Sequence, residues 1–386
     1  MSNKTQLYAG IVIALLIGAA VGWVAKPAPT TPTGETVAKS LYDSVVAELA
    51  AADAEIEDLT ADLEAAEAEI TELSKPFKVG MITGTGGLGD KSFNDGAFSA
   101  LQRAYTNLGV EYDYVEPTSI AEYEGYQRDF AKSGEYGLIV CIGFDQADAL
   151  AIVAAEYPNQ NFILVDMVVD NPNVASLTFR ANEGSFLLGI VAAMESETGK
   201  LGFVGGIDIP LINDFYFGYK AGAEWAVPSI DVLDPVYVGG WGDPTKGKEL
   251  AVGLVELGAD GIFSAAGGSG LGALQAADEQ GVTGYGVDAC QDYLNTHMFA
   301  SMTKRVDVAV YEMILDAMVG KFQGGFYSGG LKEGWVGMCR LGSEEAFWEE
   351  LFDFTHQPIS DDIINKVLSG QSKVISGEIV VPNGYS

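Results

Sequence analysis

The sequence predicts an α/β fold of two lobes, each a parallel sheet flanked by helices, standing behind an N-terminal transmembrane helix and a coiled-coil stalk. Three observations predict it. An uncharged apolar run opens the chain, an acidic stretch with heptad-like spacing follows, and from Phe77 onward short apolar runs alternate with segments of helical periodicity.

Taken in order, residues 1–6 carry Lys4 and read as a short cytoplasmic N-terminus. Residues 7–25 contain YAGIVIALLIGAAVGWVA (Tyr8 to Ala25), which would rise about 27 Å as a helix, enough to cross a bilayer. Lys4 precedes it and a very acidic chain follows, so the positive-inside rule places everything beyond it outside the cell, as a single-pass protein of the cell membrane. The same run also reads as a cleaved signal peptide. The lack of a clear A-x-A site and of a lipobox cysteine favours an uncleaved anchor.

Residues 26–35 include PAPTTPTG, a stiff, turn-rich linker. In the stretch 36–75, Val45, Leu49, Ala52, Ile56, Leu59, Leu63, Ala66, Ile70 and Leu73 fall on alternating three- and four-residue spacings, the a/d seam of a left-handed coiled coil. One reading is a stalk that self-associates into a homo-oligomer. The other is a lone acidic amphipathic helix, because the flanks are almost wholly acidic and like charges would face each other across a seam.

Pro76 ends the stalk, and residues 76–386 form the predicted bilobal domain. FKVGMIT, VEYDYVE, YGLIVCIG, FILVD, KLGFVGG, VYVGG, GIFSAA and TGYGVD are the candidate strands, separated by helical segments. About 300 residues are too many for one ordinary sheet unit, so two lobes with a cleft between them follow. Lobe 1 takes about 77–180 plus part of 302–325, and lobe 2 about 181–301 plus the C-terminal segment.

Composition excludes several functions. With 21 Lys+Arg against 54 Asp+Glu, the net charge of -33 repels polyanions, so no nucleic acid partner is expected, and neutral or cationic ligands suit the field better than phosphorylated ones. Cys141, Cys290 and Cys339 lie far apart and imply no disulfide framework. His297 and His356 lack metal-ligand spacing, and there is no H-E-x-x-H, Ser/His/Asp or Cys/His signature. The expectation is no enzyme, no cofactor and no metal.

The stretch GTGGLGDKSFNDG (residues 84–96) holds the sharpest local signals. Gly84, Gly86 and Gly89 satisfy the G-x-G-x-x-G dinucleotide pattern after a strand. A dinucleotide enzyme would need the next helix to begin at Gly89, whereas the spacing starts it only after Ser92. Ser92 with Asp95 reads as a capping box. Phe93, apolar at the first helical position, either faces a ligand or serves as a hydrophobic staple.

D-K-S-F-N-D-G after a strand and a Gly-rich turn resembles the signature of the basic membrane protein family, the purine nucleoside receptor type of ABC-transporter solute-binding proteins. The resemblance continues in order through GFDQADALAIVAAEYPNQNFILVD, GSFLLGIVAA, GKLGFVGGIDIPLINDFYFGYKAG, YVGGWGDPTKGKELA, AAGGSGLGALQAADEQG, YGVDACQ, SMTKRVDVAV and SGEIVVP, covering nearly all of 77–382. It implies a periplasmic-binding-protein-like fold of type I that closes on a nucleoside and hands it to an ABC permease. It further implies Phe93 and Trp241 on the two faces of a base, Asn94 and Asp166 at its edge, and Asp288 and Lys304, with Gly267 or Gly268, at the sugar. Trp241 in a Gly-rich turn also reads as ordinary core, and Lys304 as a helix-start or surface lysine. Where the family usually carries acids, this chain has Gly84 and Gly89, which leaves the ligand open between a purine nucleoside and another flat polar molecule. Members are commonly lipid-anchored at a cysteine, whereas this chain has a hydrophobic span. Two functions therefore stand: a membrane-anchored receptor, or a cell-surface structural or interaction protein that has kept the fold without ligand uptake.

Overall fold

The computed structural model describes residues 34–73, 76–339 and 359–385. The Tyr8–Ala25 run lies outside them, and among the described residues no helix is long and apolar enough to cross a membrane. The chain divides into two compact units, Met1–Lys75 and Pro76–Ser386.

In the first unit, the strong helix formers Ala, Glu and Leu make one helix, α1 (Gly34–Leu73), of 40 residues. At 1.5 Å per residue it extends about 60 Å. Leu49, Ile56, Leu59 and Leu63 stand exposed along it. The side chains of Ile70 and Leu73, the last two seam positions, lie outside the described residues.

The second unit opens with β1 (Lys78–Ile82), α2 (Phe93–Leu108), β2 (Glu111–Val115), α3 (Tyr123–Ser133), β3 (Leu138–Ile142), α4 (Ala147–Glu156), β4 (Phe162–Val165) and β5 (Val174–Phe179). It continues with α5 (Ala181–Glu195), β6 (Lys200–Gly205), α6 (Pro210–Ala226), β7 (Asp231–Val232), β8 (Val236–Tyr237), α7 (Pro244–Glu256), β9 (Gly261–Ala265), α8 (Gly268–Gln280), β10 (Thr283–Gly286) and β11 (Met298–Lys304). Last come α9 (Val306–Met318), β12 (Gly325–Gly329), β13 (Val336–Met338) and α10 (Asp361–Ile375).

Two sheets result. The first is six-stranded and parallel, in the order β12-β5-β4-β3-β1-β2, and the second has the order β13-β11-β10-β9-β6-β7, with β8 paired to β6 and only β13 antiparallel. Residue type decides strand position. LIVCI of β3 is buried at every residue, as a strand covered on both faces must be, while the edge strand β2, EYDYV, has no buried residue.

The chain passes between the lobes three times: at Arg180 after β5, at Arg305 after β11, and over residues 330–335 between β12 and β13. These crossings lie side by side. Arg180 N–H donates to Gly329 O at 2.8 Å, its guanidinium pairs with Glu183 at 2.6 Å and with Glu333, and Arg305 N–H donates to Trp335 O at 2.8 Å. Three adjacent single-stranded connections are the construction expected of a hinge.

Helix α5, buried on nearly all sides, forms the inner layer of lobe 2, against α6. The two backbones come close enough that a Cβ on Gly189 would lie 2.0 Å from Tyr219 O, and one on Gly222 would lie 1.9 Å from Phe186 O. Only glycine fits at either place.

Two expectations are corrected. The cysteines do form a disulfide, Cys290 to Cys339, with Cα atoms 5.5 Å apart. β10 and β13 flank the same strand, β11, and the loop after β10 and the end of β13 converge on Ser301: Gln291 N–H donates to its Oγ at 3.0 Å and Cys339 N–H to its O at 2.8 Å. Cys141 stays free and buried in β3. Nor does Ser92 form a capping box, because Asp90 accepts the N–H groups of Ser92, Asn94 and Asp95 at 2.9, 2.9 and 3.2 Å. A carboxylate two residues before Ser92 reaches three helix-start donors at once.

Replacing Gly222 by valine should force α5 and α6 apart and lower stability by about 3 kcal/mol or more. Urea unfolding of the full chain checks it, with Gly96→Ala, whose added Cβ meets nothing within 4 Å, as the control that should lose no stability.

Candidate functional site

The carboxyl ends of both sheets border one cavity, about 680 Å³ with the open solvent at its mouth included. All eight residues singled out from the sequence line it: Phe93, Asn94, Asp166, Trp241, Gly267, Gly268, Asp288 and Lys304. Phe93 starts α2 on the lobe 1 side, and Trp241 comes from the turn after β8 on the lobe 2 side. The Trp241 ring lies across Gly206, where a Cβ would stand 2.1 Å from Cζ3. Its carbonyl accepts Ser269 N–H at 2.8 Å, which fixes the turn against the start of α8 beside Gly267 and Gly268.

Asp166 and Asp288 follow β4 and β10 directly or nearly so, with φ of 73° and 63°. Non-glycine residues rarely hold this left-handed conformation, and their packed surroundings must impose it. The turn aims both carboxylates off the strand ends into the cavity. Asp166 Oδ2 accepts Lys304 Nζ at 2.5 Å, with both side chains almost wholly buried, while Asp166 Oδ1 has no hydrogen-bond partner among the described residues. Lys304 ends β11; its ammonium lies 4.7, 5.1 and 5.8 Å from the ring centroids of Phe93, Phe179 and Phe215. It is therefore neither a surface nor a helix-start lysine.

Asp288 accepts a hydrogen bond from Ser92 Oγ, which ties lobe 2 to lobe 1. Gln291 Nε2 adds a second tie, donating to Lys91 O at 2.9 Å. Burial pushes the Asp288 carboxyl up to about 6, against the opposing pull of Lys304 and Ser92. Asn94 Oδ1 accepts Gly84 N–H at 2.9 Å and its Nδ2 donates to Asp90 at 3.1 Å, so the amide braces the loop with one donor and one lone pair to spare.

The glycine loop is not a phosphate cradle. Helix α2 begins at Phe93, not Gly89, and the loop's own N–H groups are taken: Leu88 by Glu116 at 2.8 Å, and Gly89 and Lys91 by Asp95 at 2.7 and 3.0 Å. Two carboxylates where a pyrophosphate would sit repel it.

Sequence reasoning missed Asp145 and Phe144, on the cavity wall just after β3, and Phe215, on its apolar side from α6. The first two carried a usable signal. They follow the apolar run YGLIVCIG directly, and ligands of open α/β sheets bind beyond the carboxyl ends of strands.

Because Asp288 binds its proton more tightly folded than unfolded, where the carboxyl sits near 3.8, its ionisation costs stability above about pH 6 and nothing below about pH 4. Asp288→Asn, which keeps a residue type tolerant of the left-handed turn, should raise unfolding stability at pH 7.5 by about 1–3 kcal/mol and give no gain near pH 4. Urea midpoints at the two pH values decide it.

A family model described as ABC transporter substrate-binding protein PnrA-like (Bmp) matches residues 77–384. An uncharacterized lipoprotein of Pyrococcus abyssi is 34% identical over 80% of this chain and 84% of its own length. The ABC transporter nucleoside-binding protein BmpA of Lactococcus lactis is 32% identical over 79% of this chain and 89% of its own. A crystal structure of an ABC transporter solute-binding protein from Aeropyrum pernix superimposes with a TM-score of 0.71 at 34% identity, covering 80% of this chain and 94% of that one. The chain belongs to the Bmp family of PnrA-like ABC transporter substrate-binding proteins.

Proposed function

We propose that the protein is an extracytoplasmic receptor that closes on a nucleoside-like ligand and delivers it to an ABC permease. One observation carries the reading: Phe93 and Trp241 come from opposite lobes to line the same cavity, which also receives the carboxylates of Asp166 and Asp288. A flat ring held between two aromatic faces gains about 1–3 kcal/mol from each, and a carboxylate can take both protons of a vicinal diol. Lys304, paired to Asp166, brings the only cationic side chain on the cavity wall among the described residues and sits beside Asp288. Ordering the lobes by hinge closure encloses the ligand.

The Lactococcus relative's name as a nucleoside-binding protein supports this ligand class, and the Pyrococcus relative's name as a lipoprotein supports attachment to a membrane. Here the Tyr8–Ala25 run would be the tether and α1 the connecting stalk, with its exposed Leu49, Ile56, Leu59 and Leu63 available to a second copy. An open cavity with polar groups on its wall is of no use to a purely structural surface protein, so the receptor is the better reading.

Calorimetric titration of the full chain with a panel of nucleosides and free bases tests the proposal. At least one nucleoside should bind, and Trp241→Ala should weaken it about tenfold to a hundredfold. No heat from any of them, or full affinity in Trp241→Ala, would contradict it.

A further inference from the structure

The cavity has a corner with a carboxylate that is not among the eight expected residues. Asp145 sits there, in the turn after β3 and beside Gly84 and Thr85. Its Oδ2 accepts the Tyr123 hydroxyl at 3.0 Å, and that hydroxyl in turn accepts Thr85 N–H at 3.1 Å, so the carboxylate is held in a fixed orientation. A Cβ on Gly143, whose φ is 116°, would lie 2.9 Å from Asp145 Oδ1 and 4.0 Å from Gly84 Cα. Oδ1, Gly84 and Gly143 therefore meet at one point of the wall, kept clear by two glycines.

The neighbouring carboxylate of Asp90 is already committed, while Asn94 keeps one donor and one lone pair and Asp166 its Oδ1. Asp90 lines the same wall, but it accepts the N–H groups of Ser92, Asn94 and Asp95 and the Asn94 amide, which uses both its oxygens. Lys304 is paired with Asp166. Among the described residues, no other residue donates a hydrogen bond to Asp145 Oδ1, and no cation neutralises it. A half-buried carboxylate in that position gains most from a ligand group that donates. Burial raises the Asp145 carboxyl above its usual range, against the opposing pull of the Tyr123 hydroxyl.

We propose that Asp145 is a specificity-determining residue, and that its Oδ1 accepts a hydrogen bond from an N–H or amino group on the edge of the ligand's ring. This rests on the nucleoside reading and narrows it. The ligand is a nucleoside whose base carries a donor, such as the ring N–H of inosine, the ring N–H and amino group of guanosine, or the amino group of adenosine. Purine riboside, with the same ring and sugar but no donor on the base, is disfavoured.

Calorimetry on the full chain with inosine, guanosine, adenosine and purine riboside tests this. The wild-type protein should bind at least one donor-bearing nucleoside about tenfold to a hundredfold more tightly than purine riboside. Asp145→Ala should abolish that preference while leaving purine riboside within about threefold of its wild-type affinity, which also shows that the variant folds. If Asp145→Ala does not fold, Asp145→Asn, which keeps an acceptor oxygen, should retain the preference at reduced size; unchanged affinities in it would overturn the inference. Equal wild-type binding of all four nucleosides, or a preference that survives in Asp145→Ala, overturns the inference and leaves the nucleoside reading standing. No heat from any of the four removes that reading as well.

Discussion

The buried pair between Lys304 and Asp166 is the constraint on which the site depends. One partner ends a strand of the second sheet and the other follows a strand of the first, and both side chains are almost fully withdrawn from water. Desolvating two charges is costly, so such a pair persists only where geometry is good and further partners are at hand. Here the ammonium has three aromatic rings around it, and its field also favours the ionised forms of Asp288 and Asp214. A single lysine thus organises three carboxylates drawn from both lobes. Separating the lobes would leave those charges without their partner, which couples the hinge to the electrostatics of the cavity.

Strain and recognition coincide in the same residues. Asp166 and Asp288 hold left-handed backbone at the ends of strands, where the chain must turn sharply to present a side chain to the cleft. Asp288 is in addition fastened from behind, since Cys290 is tied to the end of β13 and Gln291 reaches across to Lys91. Closing a loop of this length by a disulfide is worth about 4 kcal/mol in the chain-entropy account. The strained turn is therefore held by covalent and hydrogen-bonded supports that do not themselves touch the cavity.

Much of the fold was legible because central strands of parallel sheets need apolar residues on both faces. YGLIVCIG and FILVD announce β3 and β4 for that reason. β5 and β11 did not announce themselves, since they bury Ser176, Ser301 and Thr303 among their apolar residues. Ser176 and Ser301 are satisfied by Val169 N–H and Asp292, seven and nine residues away in the preceding loops, which no strand pattern reveals. With β11 and β13 unread, the proximity of Cys290 and Cys339 could not be inferred. In the site, family resemblance singled out Phe93, Trp241 and Lys304, which line the cavity, but not their physical setting: the aromatic surroundings of Lys304 come from three separate elements. The Ser92 capping box failed because a neighbouring carboxylate competed for the same donors.

A double-mutant cycle on Lys304→Met and Asp166→Asn, read as urea unfolding of the ligand-free full chain, tests the coupling of the lobes through this pair most directly. Each single change should cost about 3–5 kcal/mol, because it strands a buried charge, and the double change should cost less than either single one. Additive losses in the double variant would contradict the pairing as the interaction that couples the lobes.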